Sequence, residues 1–376
     1  MSVVHRAVAC ALTAVTAVGA GLAMMAPASA TVHSPTSFIG QFSKITNIGS
    51  TVPANGDVNP YGIVVIRKSQ GRLQRGNILI SNFNNQANLQ GTGTTIVEIS
   101  PRGRLTLFAH ITRAKLTGRC PGGVGLTTAL AVLPGGWVVV GSTPSKDGSV
   151  TTAKAGCLIV LDNRGTVRET ISGHGINGPW DMTALGAGRF GDLFVTNVLN
   201  GNVAGTTAVV RKGTVLRLRL AVFPNRPPKL LRVTKIGSGF FQQANAAAFV
   251  LGPTGVGLGR GGTLYVADTG ENRITAIPRA VTRMTSAGTG AMVTSGRFLN
   301  APLGLAIAPN GNVLTVNGGN GRIVETTPGG AQIAHRFLDT SGSPPGSGAL
   351  FGLAVAMHGR GIWFVDDAAN TLRLFH

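Results

Sequence analysis

Residues 253–274 read PTGVGLGRGGTLYVADTGENRI and contain the pattern that decides the fold. Two short apolar runs flank a glycine-rich turn, and a third run begins at Asn272 after a second turn. Short runs of β-branched and aromatic residues bounded by Gly, Asn and Asp are typical of consecutive antiparallel strands. The central element is a glycine, then an apolar run that ends in Asn, Asp or Ser, and this element recurs along the chain.

Six copies of this element divide the chain into units. The copies begin at Gly76, Gly136, Gly191, Gly262, Gly311 and Gly361. A shorter apolar run precedes each copy, often introduced by Pro-x-Gly, and one or two further strand-like runs follow it. Four short strands repeated at about fifty residues indicate propeller blades. The sequence therefore predicts an all-β, six-bladed β-propeller whose blades are four-stranded antiparallel sheets.

The two chain ends are predicted to share the last blade. The sixth unit runs out after its third strand at His376, whereas residues 42–48 (FSKITNI) have strand composition and no blade of their own. We expect this N-terminal strand to become the outer strand of blade six. Such pairing would close the ring and remove the open face between the first and last blades.

The first thirty residues have the features of a signal peptide. Residues 7–25 are uncharged and mostly apolar, and Ala28 and Ala30 provide the small residues of a cleavage site. The alternative is an uncleaved membrane anchor, because nineteen apolar residues are just long enough to span a bilayer. We expect cleavage after Ala30 and an exported single propeller over residues 31–376.

Two of the three cysteines, Cys120 and Cys157, remain after the signal peptide is removed. An even pair in an exported protein favours a disulfide, and both positions map to the same face of blade two. The bridge would hold the long loop at 142–156 in place. Two buried free thiols are the alternative.

The repeated unit resembles NHL repeats, most closely in residues 253–274. The resemblance implies a six-bladed propeller of the TolB-like or gluconolactonase-like kind. Propellers of this kind include binding modules, calcium-dependent lactonases and lyases, so the resemblance does not choose a function.

Blades one to three have long loops between their second and third strands, at 82–93, 142–156 and 197–212, whereas the other blades have short ones. Long loops without structure of their own are often functional, although insertion at such sites is also tolerated. Polar residues end each second strand and form a candidate ligand-binding ring, namely Asn82, Ser142, Asn197, Asp268, Asn317 and Asp366. Capping of local turns by these side chains is the alternative interpretation.

A metal or catalytic site has weaker support. The resemblance implies that lactonase propellers bind calcium through Glu, Asn and Asp at the starts of inner strands. Asp181, Asn59 and Asn300 stand near such starts, but no Glu does. His110 and His174 could join Asp181 in binding a transition metal or in acid–base catalysis. We expect no cofactor, with calcium or another divalent cation as the alternative.

The net charge of +20 is concentrated in one region. No acidic residue occurs between Asp192 and Asp268, and that interval holds the basic residues Arg211, Lys212, Arg217, Arg219, Arg226, Lys229, Arg232 and Lys235. Such a stripe attracts polyanions, including anionic cell-envelope polymers. Because Phe223 is the one aromatic residue near its centre, base stacking and sequence-specific nucleic-acid recognition are not expected. The alternative is a solvated surface without a partner.

These observations lead to one functional hypothesis and one alternative. We expect an exported binding or scaffold propeller that recognises an unknown protein, glycan or small molecule on the loop-rich face of blades one to three. Attachment to the envelope through the basic stripe would be a second property. The alternative is a metal-dependent lactonase- or lyase-like enzyme.

Overall fold

The computed structural model describes residues 36–201, 207–246 and 248–376. These residues contain twenty-five strands in six antiparallel sheets and seven short 3-10 turns. The 3-10 turns are Ile39–Gln41, Arg113–Lys115, Pro134–Gly136, Val150–Thr152, Arg260–Gly262, Thr269–Glu271 and Met357–Gly359. The predicted all-β, six-bladed β-propeller is confirmed.

The strands follow one another blade by blade, apart from β1 (Ile45–Ser50), which precedes blade one. Blade one contains β2 (Val58–Val65), β3 (Ile78–Asn84), β4 (Thr95–Ile99) and β5 (Leu105–His110). Blade two contains β6 (Leu126–Leu133), β7 (Trp137–Ser142), β8 (Cys157–Leu161) and β9 (Val167–Ile171). Blade three contains β10 (Gly178–Ala187), β11 (Phe190–Val198), β12 (Val210–Ala221), β13 (Lys229–Asn245) and the short β14 (Phe249–Leu251).

The second half of the chain repeats the arrangement. Blade four contains β15 (Pro253–Leu258), β16 (Leu264–Asp268), β17 (Arg273–Ile277) and β18 (Ala291–Ser295). Blade five contains β19 (Pro302–Ile307), β20 (Val313–Asn317), β21 (Arg322–Thr326) and β22 (Gln332–Phe337). Blade six contains β23 (Leu350–Val355), β24 (Ile362–Asp366) and β25 (Thr371–Phe375). The first strand of each blade contacts the first strands of its two neighbours, so these six are the inner strands.

The N-terminal strand closes the ring as the sequence predicts. Strand β1 pairs antiparallel with β25, with Ile45 opposite Phe375 and Ser50 opposite Thr371. The segment before β1 is anchored on blade five, because the buried carboxylate of Glu325 accepts hydrogen bonds from the backbone N–H groups of Phe38 and Ile39, both at 2.9 Å. Both chain ends therefore contribute to the same closed ring.

The predicted disulfide is present between Cys120 and Cys157, whose Cα atoms are 5.3 Å apart. It joins the connection that enters blade two to the start of β8, and both residues are buried among apolar side chains of blades one and two. The bridge therefore holds the base of the 143–156 loop, as the positions of the cysteines predicted.

The Pro-x-Gly motif has a packing role in the ring. A Cβ atom added at Gly304 of β19 would lie far inside van der Waals contact of the Phe351 carbonyl oxygen on β23. The same relation holds between Gly352 and the Tyr61 carbonyl oxygen of β2. Neighbouring inner strands therefore approach too closely for any side chain at these positions.

The predicted signal peptide at residues 1–30 lies outside the described residues, so its cleavage stays a prediction. Within the described part of the chain, no helix is long and apolar enough to cross a membrane. The disulfide is typical of proteins folded in an oxidising compartment.

Candidate functional site

The inner strands enclose a cavity of about 700 Å³ on the propeller axis, which we call the axial cavity. Its lining comes from all six inner strands, at residues 63–65, 128, 130–133, 181–184, 186, 256–258, 304–307 and 352–355. Residues of the connections that follow β2 and β6 also line it. The cavity therefore lies toward the end of the ring at which the inner strands finish.

The side chains that line the axial cavity are mostly apolar, although polar atoms contribute about half of its accessible surface. Val, Leu, Ile, Ala and Met side chains alternate with glycines around it. The charged residues in the lining are Asp181 inside the cavity, and Arg67 and Lys68 on the connection after β2. Thr128 and Thr183 add hydroxyl groups. A concave apolar wall with few polar groups, at a volume between roughly 300 and 1,000 Å³, is typical of small-molecule sites.

Asp181 occupies the position at which most inner strands have the glycine of the Pro-x-Gly motif. Blade three reads Pro179-Trp-Asp, and its pairing with β11 shifts register between Pro179 and Met182. Such bulges redirect a side chain. The carboxyl group accepts hydrogen bonds from the backbone N–H groups of Met182 at 2.8 Å and Val256 at 3.2 Å, which connects blade three to blade four.

Burial sets the protonation state of Asp181. The residue is 9% exposed, and desolvation raises the pKa of its carboxyl group to about 8 despite the two amide hydrogen bonds. The group is therefore mainly neutral at pH 7. A neutral carboxylic acid in an apolar cavity can donate a hydrogen bond to a ligand, and a strongly shifted pKa in a cleft is a feature of functional sites.

The opposite end of the axis is closed by aromatic side chains. Five of them form the axial aromatic cluster, namely Tyr61, Phe83, Trp180, Phe249 and Phe351. Tyr61 stacks on Phe351 with ring centroids 4.0 Å apart and on Phe83 at 4.7 Å. All five side chains are at most 4% exposed, so they fill the axis at the starts of the inner strands.

The long loops of blades one to three cover this closed end. Val150, Ala153 and Leu199 pack against the axial aromatic cluster. The loops also bond to one another, because the backbone N–H of Ser145 donates to the Gly91 carbonyl at 2.9 Å. These loops therefore contribute to the core as well as to the surface, and the axial cavity lies at the end opposite to the face that the sequence favoured.

The six polar residues that end the second strands are fully buried. Most bond to their own turn or to the connection that enters the same blade. The Asp366 carboxylate accepts from the Ala369 N–H at 3.0 Å, for example, and the Ser142 hydroxyl accepts from the Gly125 N–H at 3.0 Å. These contacts are those of the local-capping alternative, and a ligand-binding role for the ring stays a prediction.

The metal and catalytic candidates do not gather in one place. His110 is exposed at the end of β5, the outermost strand of blade one, and His174 is exposed in the turn before β10. Asn59 is buried, whereas Asn300 is exposed. In the described residues, no group of three or more His, Cys, Asp or Glu side chains could hold a metal ion.

Calcium fits Asp181 poorly. Calcium takes six to eight oxygen ligands and favours charged carboxylates. The Asp181 oxygens already accept two amide hydrogen bonds, and burial raises the pKa of this carboxyl group, which disfavours the charged form. Asp181 is therefore a poor calcium ligand in this environment.

The basic stripe of blade three is only partly accessible. Arg217 is 6% exposed and donates to the Ala280 carbonyl at 2.9 Å. Arg219 pairs with Asp192 at 2.6 Å and Arg211 with Glu271 at 2.7 Å. The remaining members are exposed and form no ion pair in the described chain; they are Lys212, Arg226, Lys229, Arg232 and Lys235.

Comparisons with known proteins place this fold among enzyme and binding propellers. A regucalcin described as a calcium-binding protein, from Agrobacterium tumefaciens, is 14% identical, with 87% of this chain and 94% of that chain covered and a TM-score of 0.55. A luciferin-regenerating enzyme is 11% identical, covering 88% and 94%, with a TM-score of 0.54. A streptogramin B lyase is 13% identical, covering 89% and 97%, with a TM-score of 0.51.

These likenesses show the fold alone. No protein-family model matches the sequence, and no curated protein matches it either. The expected six-bladed propeller architecture is confirmed, while the NHL character of the repeats stays a resemblance.

Sequence reasoning found Asp181 but missed the axial aromatic cluster and the cationic pair Arg67 and Lys68. One signal was present. The middle residue of Pro-x-Gly, or of its equivalent, is Tyr61, Trp180 or Phe351 in three blades. Large aromatics at equivalent positions of inner strands converge on the axis, because the ring brings these strands together.

Proposed function

We propose that the protein is a binding propeller that holds a small, largely apolar molecule in its axial cavity. The observation that carries this proposal is the set of mostly apolar side chains that all six inner strands place around the single carboxyl group of Asp181. The cavity has the volume and the wall composition of a small-molecule site. Asp181 supplies one hydrogen-bond donor that orients the ligand.

The lactonase- or lyase-like alternative has the fold of its structural neighbours in its favour. It lacks a donor set in this chain, since the described His, Cys, Asp and Glu side chains do not cluster. The start of the axis, where the resemblance implies calcium ligands, is filled by the axial aromatic cluster. Binding is therefore the function that the site supports best.

A neutral fluorescent probe tests the proposal. N-phenyl-1-naphthylamine fluoresces strongly in apolar surroundings, and the mature protein is expected to bind it with a dissociation constant in roughly the micromolar range. Ala306→Phe, which fills the cavity wall, is expected to weaken binding about tenfold or more. Ala331→Trp places a large side chain on an exposed turn and is the matched control.

The probe experiment also has outcomes that would contradict the proposal. Ala184→Phe fills another part of the wall and replaces Ala306→Phe if that variant does not fold. Wild-type protein without a fluorescence change would exclude an apolar ligand of this size. Equal binding by wild type and both folded cavity variants would place the probe elsewhere on the molecule.

We further propose that the exported protein attaches to anionic envelope polymers through the exposed cations of blade three. Lys229, Arg232 and Lys235 lie on β13, the outer strand, and have no ion-pair partner in the described chain. Their Ser triple variant is expected to elute from heparin at lower NaCl than wild type, because each lost phosphate- or sulfate-like contact reduces counterion release. Replacing Lys44, Lys146 and Arg102 by Ser removes the same charge elsewhere, and equal shifts for both triple variants would argue against a specific surface.

A further inference from the structure

We propose that the ligand of the axial cavity is an apolar molecule with one anionic group, which Arg67 and Lys68 bind at the cavity mouth. This inference rests on the proposed function and names the chemical class of its ligand. Apolar walls alone would accept any small hydrophobic molecule of suitable size. The positive charges at the mouth add a preference for anionic ligands over cationic ones.

Arg67 and Lys68 belong to the connection that follows β2, at the end of the ring where the inner strands finish. Both side chains are exposed and line the axial cavity. Neither forms a hydrogen bond or an ion pair within the described part of the chain. Other arginines near carboxylates are paired, as Arg273 is with Asp268 at 2.8 Å. These two cations are therefore available to an incoming anion.

The lining contains no carboxylate that could neutralise this pair at neutral pH. Its single acidic residue is Asp181, inside the cavity, and desolvation keeps the pKa of that carboxyl group at about 8. Since a neutral carboxyl group does not repel an anion, the potential at the mouth is set by Arg67 and Lys68. A cation would be disfavoured by the same two side chains.

The two cations belong to the connection after β2, whereas the apolar side chains of the wall belong to the inner strands. Val132, Leu258 and Ile307 line the cavity and lie at or near the ends of β6, β15 and β19. An apolar body would contact this wall while its anionic group stays at the solvent-accessible mouth, where desolvation of the charge is small. The neutral carboxyl group of Asp181 would donate to an acceptor on the buried part of the ligand.

A matched pair of probes isolates the anionic group. N-phenyl-1-naphthylamine and 8-anilino-1-naphthalenesulfonate share the same ring skeleton, and only the second carries a sulfonate. We expect wild type to bind the sulfonate about threefold to tenfold more tightly than the neutral probe, as two exposed charge contacts would provide. The double variant Arg67→Ser/Lys68→Ser is expected to lose this preference and to retain the affinity for the neutral probe.

The control is Arg102→Ser/Lys146→Ser, which removes two exposed cations outside the cavity lining. If the control loses the preference to the same extent, the sulfonate responds to the net charge of the protein and the inference is wrong. Equal affinity of wild type for the two probes also overturns it and leaves the proposed function intact. Failure of the neutral probe to bind would instead contradict the proposed function.

Discussion

Asp181→Asn is expected to remove a large pH dependence from the stability of the protein. In the folded state the pKa of Asp181 is raised from 3.8 to about 8. Between these values the folded protein holds a proton that the unfolded chain has released, so stability falls as pH rises through this window. Each pH unit in this window corresponds to about 1.4 kcal/mol of unfolding free energy. The contribution of Asp181 to stability therefore falls by about 4 kcal/mol between pH 5 and pH 8. Asn cannot titrate and is uncharged like the neutral acid, but its single oxygen can accept only one of the two backbone hydrogen bonds.

Thermal melts at pH 5 to 9 would measure the effect. We expect the variant to melt somewhat below wild type at pH 5, because it lacks one backbone hydrogen bond, and the difference in melting temperature to shift in its favour by on the order of 10 °C between pH 5 and pH 9. Burial also raises the pKa of Asp366 to about 6 and of Asp367 to about 7, but both residues are present in both proteins, so their effects cancel.

The matched control for this experiment is Asp147→Asn. Asp147 lies on an exposed loop, and its hydrogen bond from Thr152 lowers the pKa of its carboxyl group, so it does not titrate between pH 5 and pH 9. The melting temperature of Asp147→Asn is expected to change with pH in the same way as that of wild type. If the melting temperature of Asp181→Asn also changed with pH as that of wild type does, Asp181 would be ionised in the folded protein.

Gly304→Ala is expected to prevent stable folding of the propeller. The added methyl group would overlap the Phe351 carbonyl oxygen, which belongs to the backbone of β23 and cannot rotate away as a side chain could. The ring is closed, so a displacement between two inner strands affects the spacing of all six. We expect a loss of about 4 kcal/mol or more, which is exceptional for a single methyl group.

Gly329→Ala provides the comparison. Gly329 lies on an exposed turn, and the nearest atom to its added Cβ would be the Thr327 hydroxyl at 3.9 Å. Its free energy of unfolding, from urea titration, is expected to stay within about 0.5 kcal/mol of wild type. Soluble yield and circular dichroism would report on Gly304→Ala if it is too unstable to titrate. A normal urea midpoint for Gly304→Ala would refute the close approach of β19 and β23.

The fold could be predicted because its signals are local and repeated. Each strand of the 253–274 unit is bounded by glycine or Asx residues within a few positions, and the same order recurs in six blades. Ring closure could also be predicted, because the sixth unit lacks a fourth strand and residues 42–48 form a strand without a blade of their own. The disulfide could be predicted because the repeat pattern places Cys120 and Cys157 on the same face of blade two.

The candidate site could be predicted only in part. The sequence named Asp181 as a candidate because it stands near the start of an inner strand. The sequence placed Arg217 in an accessible stripe because it alternates with apolar residues along β12. In the structure, Arg217 instead bonds to the Ala280 carbonyl across the junction with blade four. Alternation shows which side chains share a face of a strand, but it does not show what covers that face.

The sequence by itself determined the number of blades, their strand order, the closure of the ring and the disulfide. Tertiary structure decided which end of the axis is open. Tyr61, Trp180 and Phe351 come from blades one, three and six and meet only after the ring has closed. Their packing fills one end of the axis, and the axial cavity remains at the other. Such contacts depend on the spacing of all six inner strands, which no local pattern encodes.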